Sequence, residues 1–400
     1  MKKTIDNKKT IEILLITIVF VGLIISGIFL INSTDVGQSS YQHVLKIIDK
    51  HMPHEKLNSP NVNESMRALV TAWSYLRDGN TGVFPDNTFE NRYIYSPSDS
   101  GADIFPWMYI YAYYHNEKMY RDLKNTLAYQ KTLRGKYYFL KQSRQTKNIS
   151  YEVSEYLKDG MVPILEFFQD REDYEYMKKE ILNLNITYNP EIDGEMLITI
   201  SRLLNYKWDE EVYNKGLSIY LNYIFGELQS PNQYVPTMRL TDHGNEIIVG
   251  LTEFAMLRNI TDYEDFTISN MLYHSTTNLK LCKDTCGYIL SAYYSYNKES
   301  ATPVIEKYID ELDINDFTSS QDSMADVAEG LIYLAPYFDV DDKLDLFITT
   351  LLSTQRKDGF YTRWHADGNI LRTLLMYEIY KGNLEFEGGL SDYPRINGIK

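Results

Sequence analysis

Cysteine is nearly absent. The 400-residue chain has two, which excludes a disulfide-built scaffold and any zinc module that needs four thiolates. Positive charge is also in deficit: 40 Lys and Arg stand against 55 Asp and Glu, a formal net charge of −15. Such an acidic chain repels a phosphate backbone, so no nucleic-acid partner is expected. There is no G-x-S-x-G, no H-E-x-x-H and no G-x-x-x-x-G-K-[ST], which removes the commonest serine-hydrolase, zinc-peptidase and P-loop chemistries. Histidine is scarce, and His51 and His54 in H-M-P-H flank a proline that indicates a loop with two solvated imidazoles. No metal site and no cofactor follow from the sequence.

Long apolar runs are equally rare, with one exception. Ile13–Ile31 carries no charge and is close to the ~20 residues that a helix needs to cross the hydrocarbon core. Lys2, Lys3, Lys8 and Lys9 precede it, and the first charge after it is Asp35; the positive-inside rule then places the N-terminus in the cytoplasm. Ile31-Asn32-Ser33-Thr34 lacks a small-x-small cleavage site, so the segment reads as an uncleaved anchor rather than a signal peptide. The expected organisation is a basic cytoplasmic tail over 1–10 and a transmembrane signal anchor over 11–31. A linker with a first outer helix follows over 32–60, the main extracytoplasmic domain over 61–385 and a C-terminal tail over 386–400. Sequons at Asn32, Asn63, Asn148, Asn185 and Asn259 fit an exported glycoprotein, although an Asn-rich chain generates such triplets by chance. Cys282 and Cys286 are spaced so that a short disulfide and two free thiols are both open readings.

What the chain has in abundance is tyrosine, 35 against 16 Phe and 4 Trp. A tyrosine joins an apolar ring to a polar tip and suits wet concave surfaces as well as cores. Past the anchor, apolar residues recur at helical spacing, as in Met66, Leu69, Val70 and Trp73 or Val327, Leu331 and Leu334, which predicts an all-α chain. The segments are of two kinds. One is apolar or aromatic and opens with Gly, Asp, Ser or Asn, near Ser98, Lys158, Asp193, Asp242, Lys283, Asp322 and His365. The other is amphipathic, as over Met119–Gln130, Tyr174–Asn183, Glu210–Phe225, Pro303–Leu312 and Asp342–Leu352. The first kind is expected inside and the second outside. Their alternation, at roughly one helical hairpin per repeat, predicts an (α/α)6 or (α/α)7 toroid of concentric hairpins.

The segment from Leu351 to Trp364, which contains Gln355, Asp358, Gly359 and Phe360, resembles the Q-x-x-D-G-x-F/W turn repeated through the terpenoid-cyclase and α/α-toroid proteins. D-G-N-T-G-V-F-P from Asp78 is a degenerate second copy. The pattern over about residues 60 to 385 is also similar to the six-hairpin glycosidase group. The resemblance implies a toroid; such folds host hydrolases, lyases, epimerases, cyclases and binding modules. Asp339-Val340-Asp341-Asp342 spells D-x-D-D, similar to the proton-donating signature of class II terpene cyclases. It falls between an inner helix and the outer helix that follows, at the far end of the ring, where Asp341 is expected to act as an N-cap.

In a closed toroid the N-termini of the inner helices gather at one mouth, with their unpaired N–H groups and capping side chains. The candidate catalytic residues there are Asp103, Asp242, Glu246 and Asp367. Asp99, Trp107, His243, Asp326, Trp364, His365 and Arg372 are the candidate substrate-binding residues. Paired carboxylates across such a mouth divide the acid and base roles of glycosidic cleavage, and aromatic faces suit a polyhydroxylated substrate. Asp is also an ordinary N-cap, so each of these acids has a purely structural alternative. The leading expectation is a membrane-anchored glycoside hydrolase. A lyase or epimerase using Tyr or His and a non-catalytic toroid that binds glycan or protein are the alternatives, and an isoprenoid cyclase fits such a polar mouth poorly.

Overall fold

The computed structural model describes residues 61–76, 153–162, 165, 171–225, 245–277, 283–362 and 366–383, all within the unit Glu55–Lys400. The expected anchor, its flanking segments and the helix Met119–Gln130 lie outside the described residues. Among those described, the chain is all-helical. No helix there is long and apolar enough to cross a membrane.

The α-helices are α1 (Val62–Leu76), α2 (Arg171–Asn183), α3 (Pro190–Tyr206), α4 (Glu210–Phe225), α5 (Asn245–Met256), α6 (Asp262–Thr277), α7 (Cys286–Tyr296), α8 (Lys298–Glu311), α9 (Gln321–Leu334), α10 (Asp341–Thr354) and α11 (Ala366–Tyr380), with a π-helical segment over Tyr156–Met161. Two kinds of helix are evident from burial. In α3 every residue from Ile192 to Leu204 is buried, and α5, α7, α9 and α11 are buried over most of their surface. By contrast, α10 buries only the stripe Leu344, Phe347, Ile348, Leu351 and Leu352, the three- and four-residue spacing of an amphipathic helix seated on a core.

The buried helices pack in chain order. The π segment meets α3, α3 meets α5, α5 meets α7, α7 meets α9, α9 meets α11, and α11 meets α1. A second set of helices stands behind them: α2 and α4 on α3, α6 on α5 and α7, α8 on α7, and α10 on α9. Two of the inner crossings are closed by glycine. A Cβ on Gly287 of α7 would lie 2.4 Å from Gly330 Cα of α9, and one on Gly194 of α3 would lie 2.3 Å from Ile247 N of α5. At both places backbone meets backbone, and any side chain forces the helices apart.

The Q-x-x-D-G turn proves to be a staple. Gln355 Nε2 donates to Ser65 O and to Gly359 O, both at 2.9 Å, and Gly359 has φ +91°, with a Cβ position 2.5 Å from Ala68 O. Only glycine fits that left-handed, crowded site. Asp358 is fully buried; it accepts from the Phe360 amide and pairs with Arg356. The turn therefore ties the end of α10 to α1. Tyr361 is buried and shares a hydrogen bond with Ser65 Oγ, so it packs the same junction.

Several boundaries differ from expectation. Lys158 does not start a helix but sits within the π segment, which continues a helix from Val153. Pro303 lies inside α8, because Asn297 caps the helix earlier by accepting from Ser300 N. Asp341 is not an N-cap; it is the first residue of α10, and its carboxylate holds Lys381 Nζ at 2.7 Å. Cys286 is disulfide-bonded, and the other cysteine of the chain, Cys282, lies outside the described residues.

Candidate functional site

Between the inner helices lies a polar cavity of about 200 Å³. Its walls come from the π segment (Lys158), α3 (Ile198, Arg202), α5 (Asn245, Glu246, Val249), the turn before α7 (Thr285), α7 (Tyr288), α9 (Asp326, Glu329, Tyr333) and α11 (Asn369, Arg372). Most of these helices are apolar on every other side. Their polar residues converge here because a charge within a buried helix must reach either a partner or water.

The cations are matched. Lys158 Nζ lies 2.9 Å from Glu246 Oε1 and 3.3 Å from Glu195 Oε1, and Glu195 also accepts from Ser154 Oγ. Arg202 pairs with Glu253 at 2.6 Å. Arg372 donates from Nε and Nη2 to Glu329 Oε2, each at 2.8 Å, while Tyr333 Oη donates 2.7 Å to Glu329 Oε1. The Arg372 guanidinium also reaches Tyr288 Oη at 3.4 Å.

Asp326 is different. Among the described residues it makes no ion pair and accepts no hydrogen bond, although it lines the same cavity. Burial first, and then the negative fields of Asp322, Asp284 and Glu329, push its carboxyl well above the usual range, with Arg372 opposing only in part. Burial and Glu329 likewise push the Tyr288 phenol well up, so it stays a neutral donor.

Three of the residues expected at the mouth, Glu246, Asp326 and Arg372, meet in this cavity. Asp367 does not line it. It is fully buried, and its Oδ1 accepts from the amides of Tyr361 and Thr362 at 2.9 and 3.0 Å, which fixes the loop entering α11. Asp193 does the same at α3, accepting from the amides of Thr187 and Tyr188 and from Tyr223 Oη. Asp99, Asp103, Trp107, Asp242, His243, Trp364 and His365 lie outside the described residues. Sequence reasoning missed Lys158, Glu195, Arg202, Tyr288, Glu329, Tyr333 and Asn369. The available signal was a lone charge inside an apolar helix, as in G-E-M-L-I at Glu195 and V-A-E-G-L at Glu329.

Among the described residues no group of three or more His, Cys, Asp or Glu side chains is arranged to hold a metal ion. No protein-family model matches the chain, and no curated protein or solved structure matches it significantly.

Proposed function

We propose that the chain is a membrane-anchored, extracytoplasmic α/α toroid that hydrolyses glycosidic bonds, with Asp326 as proton donor and Glu246 as base or nucleophile. One observation carries this reading. Two of the three carboxyl groups that line one polar cavity stand in different settings, Asp326 without an ion-pair partner and Glu246 against an ammonium. Divergent environments for two acids are what separate donor from base in this chemistry. Asp326 gives its proton to the glycosidic oxygen as the C–O bond breaks, and the leaving sugar departs as an alcohol. Glu246 then takes a proton from the water that attacks the anomeric carbon, or itself attacks that carbon ahead of water. Lys158 has Glu195 as a second partner when Glu246 changes charge. Arg372, Asn369, Tyr288 and Tyr333 supply donors for sugar hydroxyls.

The test uses the full chain in detergent on a panel of neutral and acidic oligosaccharides, with Asp326→Asn and Glu246→Gln beside it. Each variant is expected to lose about 10²–10⁴ in turnover, and the anomer released first, followed by NMR, reports which of the two Glu246 roles operates. Turnover unchanged in both variants removes the assignment. Binding without cleavage by the parent chain favours a non-catalytic glycan-binding toroid.

A further inference from the structure

The catalytic cavity is small. At about 200 Å³ it falls below the ~300 Å³ at which pockets for small molecules usually begin, so it holds the reacting end of a substrate and little more. A second cavity of about 350 Å³ adjoins it, and the two share Arg202, Val249, Tyr288 and Tyr333 as walls.

The lining shows how they are stacked. Along α3 it steps from Ile198 to the shared Arg202 and on to Asn205; along α5 from Glu246 to the shared Val249 and on to Glu253 and Met256. Along α7 it runs from the shared Tyr288 to Ser291 and Ser295, and along α9 from Asp326 and Glu329 through the shared Tyr333 to Tyr337. In each of these helices the second cavity continues the first toward the C-terminus in steps of three or four residues. The two are successive compartments of one passage along the inner helices, and from Glu246 to Met256 that passage follows about 15 Å of helix. Its far end reaches solvent, where Tyr337 is 49% and Met256 47% exposed.

The chemistry changes along the way. The first compartment is ionic. In the second, the only charges among the described residues, Arg202 and Glu253, neutralise each other at 2.6 Å. The remaining lining combines the rings of Tyr288, Tyr333 and Tyr337 and the aliphatic Val249, Met256, Leu257 and Ala292 with the hydroxyls of Ser291 and Ser295 and the amide of Asn205. Ring faces beside uncharged hydrogen-bonding groups match an uncharged sugar ring, which is apolar on its faces and hydroxylated at its rim.

We propose that the tyrosine compartment is a subsite for the next unit of a linear, neutral glycan whose cleaved bond lies at Asp326 and Glu246. This rests on the hydrolase reading and names its substrate class: an unbranched chain of uncharged sugars, at least two units long, rather than a single terminal sugar or a polyuronate.

The experiment measures affinity and turnover of the full chain in detergent for linear neutral gluco-, manno- and N-acetylglucosamine oligosaccharides, from monosaccharide to hexasaccharide. The parent chain is compared with Ser291→Trp, which fills the compartment, and Tyr337→Ala, which removes a ring at its exposed end. The parent is expected to gain about tenfold or more in affinity from the first unit to the second, the scale of an aromatic contact. Ser291→Trp is expected to abolish that gain while leaving monosaccharide affinity unchanged, and Tyr337→Ala to reduce it several-fold. If Ser291→Trp does not fold, as judged by its circular dichroism melt, Tyr337→Ala decides alone. Cleavage without length dependence, or a gain that survives both variants, overturns the subsite and leaves the hydrolase reading standing. Neither binding nor cleavage of any member by the parent overturns both.

Discussion

Helix α9 has two inner neighbours and meets them in opposite ways. Toward α7 it offers Gly330, which rests on Gly287 with no room for a side chain. Toward α11 it offers Glu329, which takes the guanidinium of Arg372, while Asp322 accepts from Asn369 and Ala325 O from Thr373. Adjacent residues, Glu329 and Gly330, thus build the two sides. Contact through glycine fixes a separation by van der Waals repulsion and leaves no space. Contact through long polar side chains adds directional bonds, and the same Glu329 and Arg372 form part of the cavity wall. The molecule places close packing and charge pairing at neighbouring positions of one helix.

The contrast can be broken at either face. Replacing Gly330 with Leu should have the largest effect, because the side chain meets backbone that cannot yield. A loss of more than about 4 kcal/mol is expected, read as absence of a cooperative urea transition. Arg372→Met should cost about 3 kcal/mol, since it strands a carboxylate that is 2% exposed. The double variant Arg372→Met with Glu329→Met should recover most of that loss in chemical denaturation. A double variant as unstable as the single one would show that the interface depends on more than the charge pair.

Asp326→Asn sharpens the comparison through pH. The native state keeps the Asp326 proton where the unfolded chain has released it, so stability contributed by this group is lost as pH rises from the ordinary carboxylate range through the raised value. The Asn variant lacks that loss. Its melting temperature should exceed the parent's by on the order of a few °C at pH 8, and the difference should vanish toward pH 4, while turnover falls. The smallest effect is expected at the periphery. Lys381→Ala removes ion pairs to Asp341 and Asp345 on α10, which stand at the surface and should contribute under about 1 kcal/mol.

Much of this architecture was legible in the sequence. Glu210–Phe225 was delimited as observed, and α2, α10 and α9 were located to within a few residues, because their apolar spacing and first-turn residues agree. Helix α6 was missed: Tyr263, Phe266 and Tyr273 are exposed while Ile268 and Leu272 are buried, so its apolar residues do not gather on one side. The site was legible mainly near helix starts, with Asp326 and Arg372 also named from one to two turns inside theirs. Glu246 was found there, whereas Lys158, Arg202 and Glu329 sit deep in helices. A single charge in an apolar run does not reveal in one dimension whether it faces a cavity or a neighbour. Asp367 had the right position and the wrong partner, since a carboxylate near a first turn can serve the preceding loop as readily as a ligand.

The Gln355 staple constrains the order in which the protein can be completed. Its bond to Ser65 O spans 290 residues, and at ordinary synthesis rates about 15–60 s separate the emergence of those two ends from the ribosome. Throughout that interval this bond cannot form. The junction of α1 with the turn after α10, where Gly359 lies against Ala68 O, is completed only after residue 359 has emerged, and a chain interrupted before residue 355 lacks it.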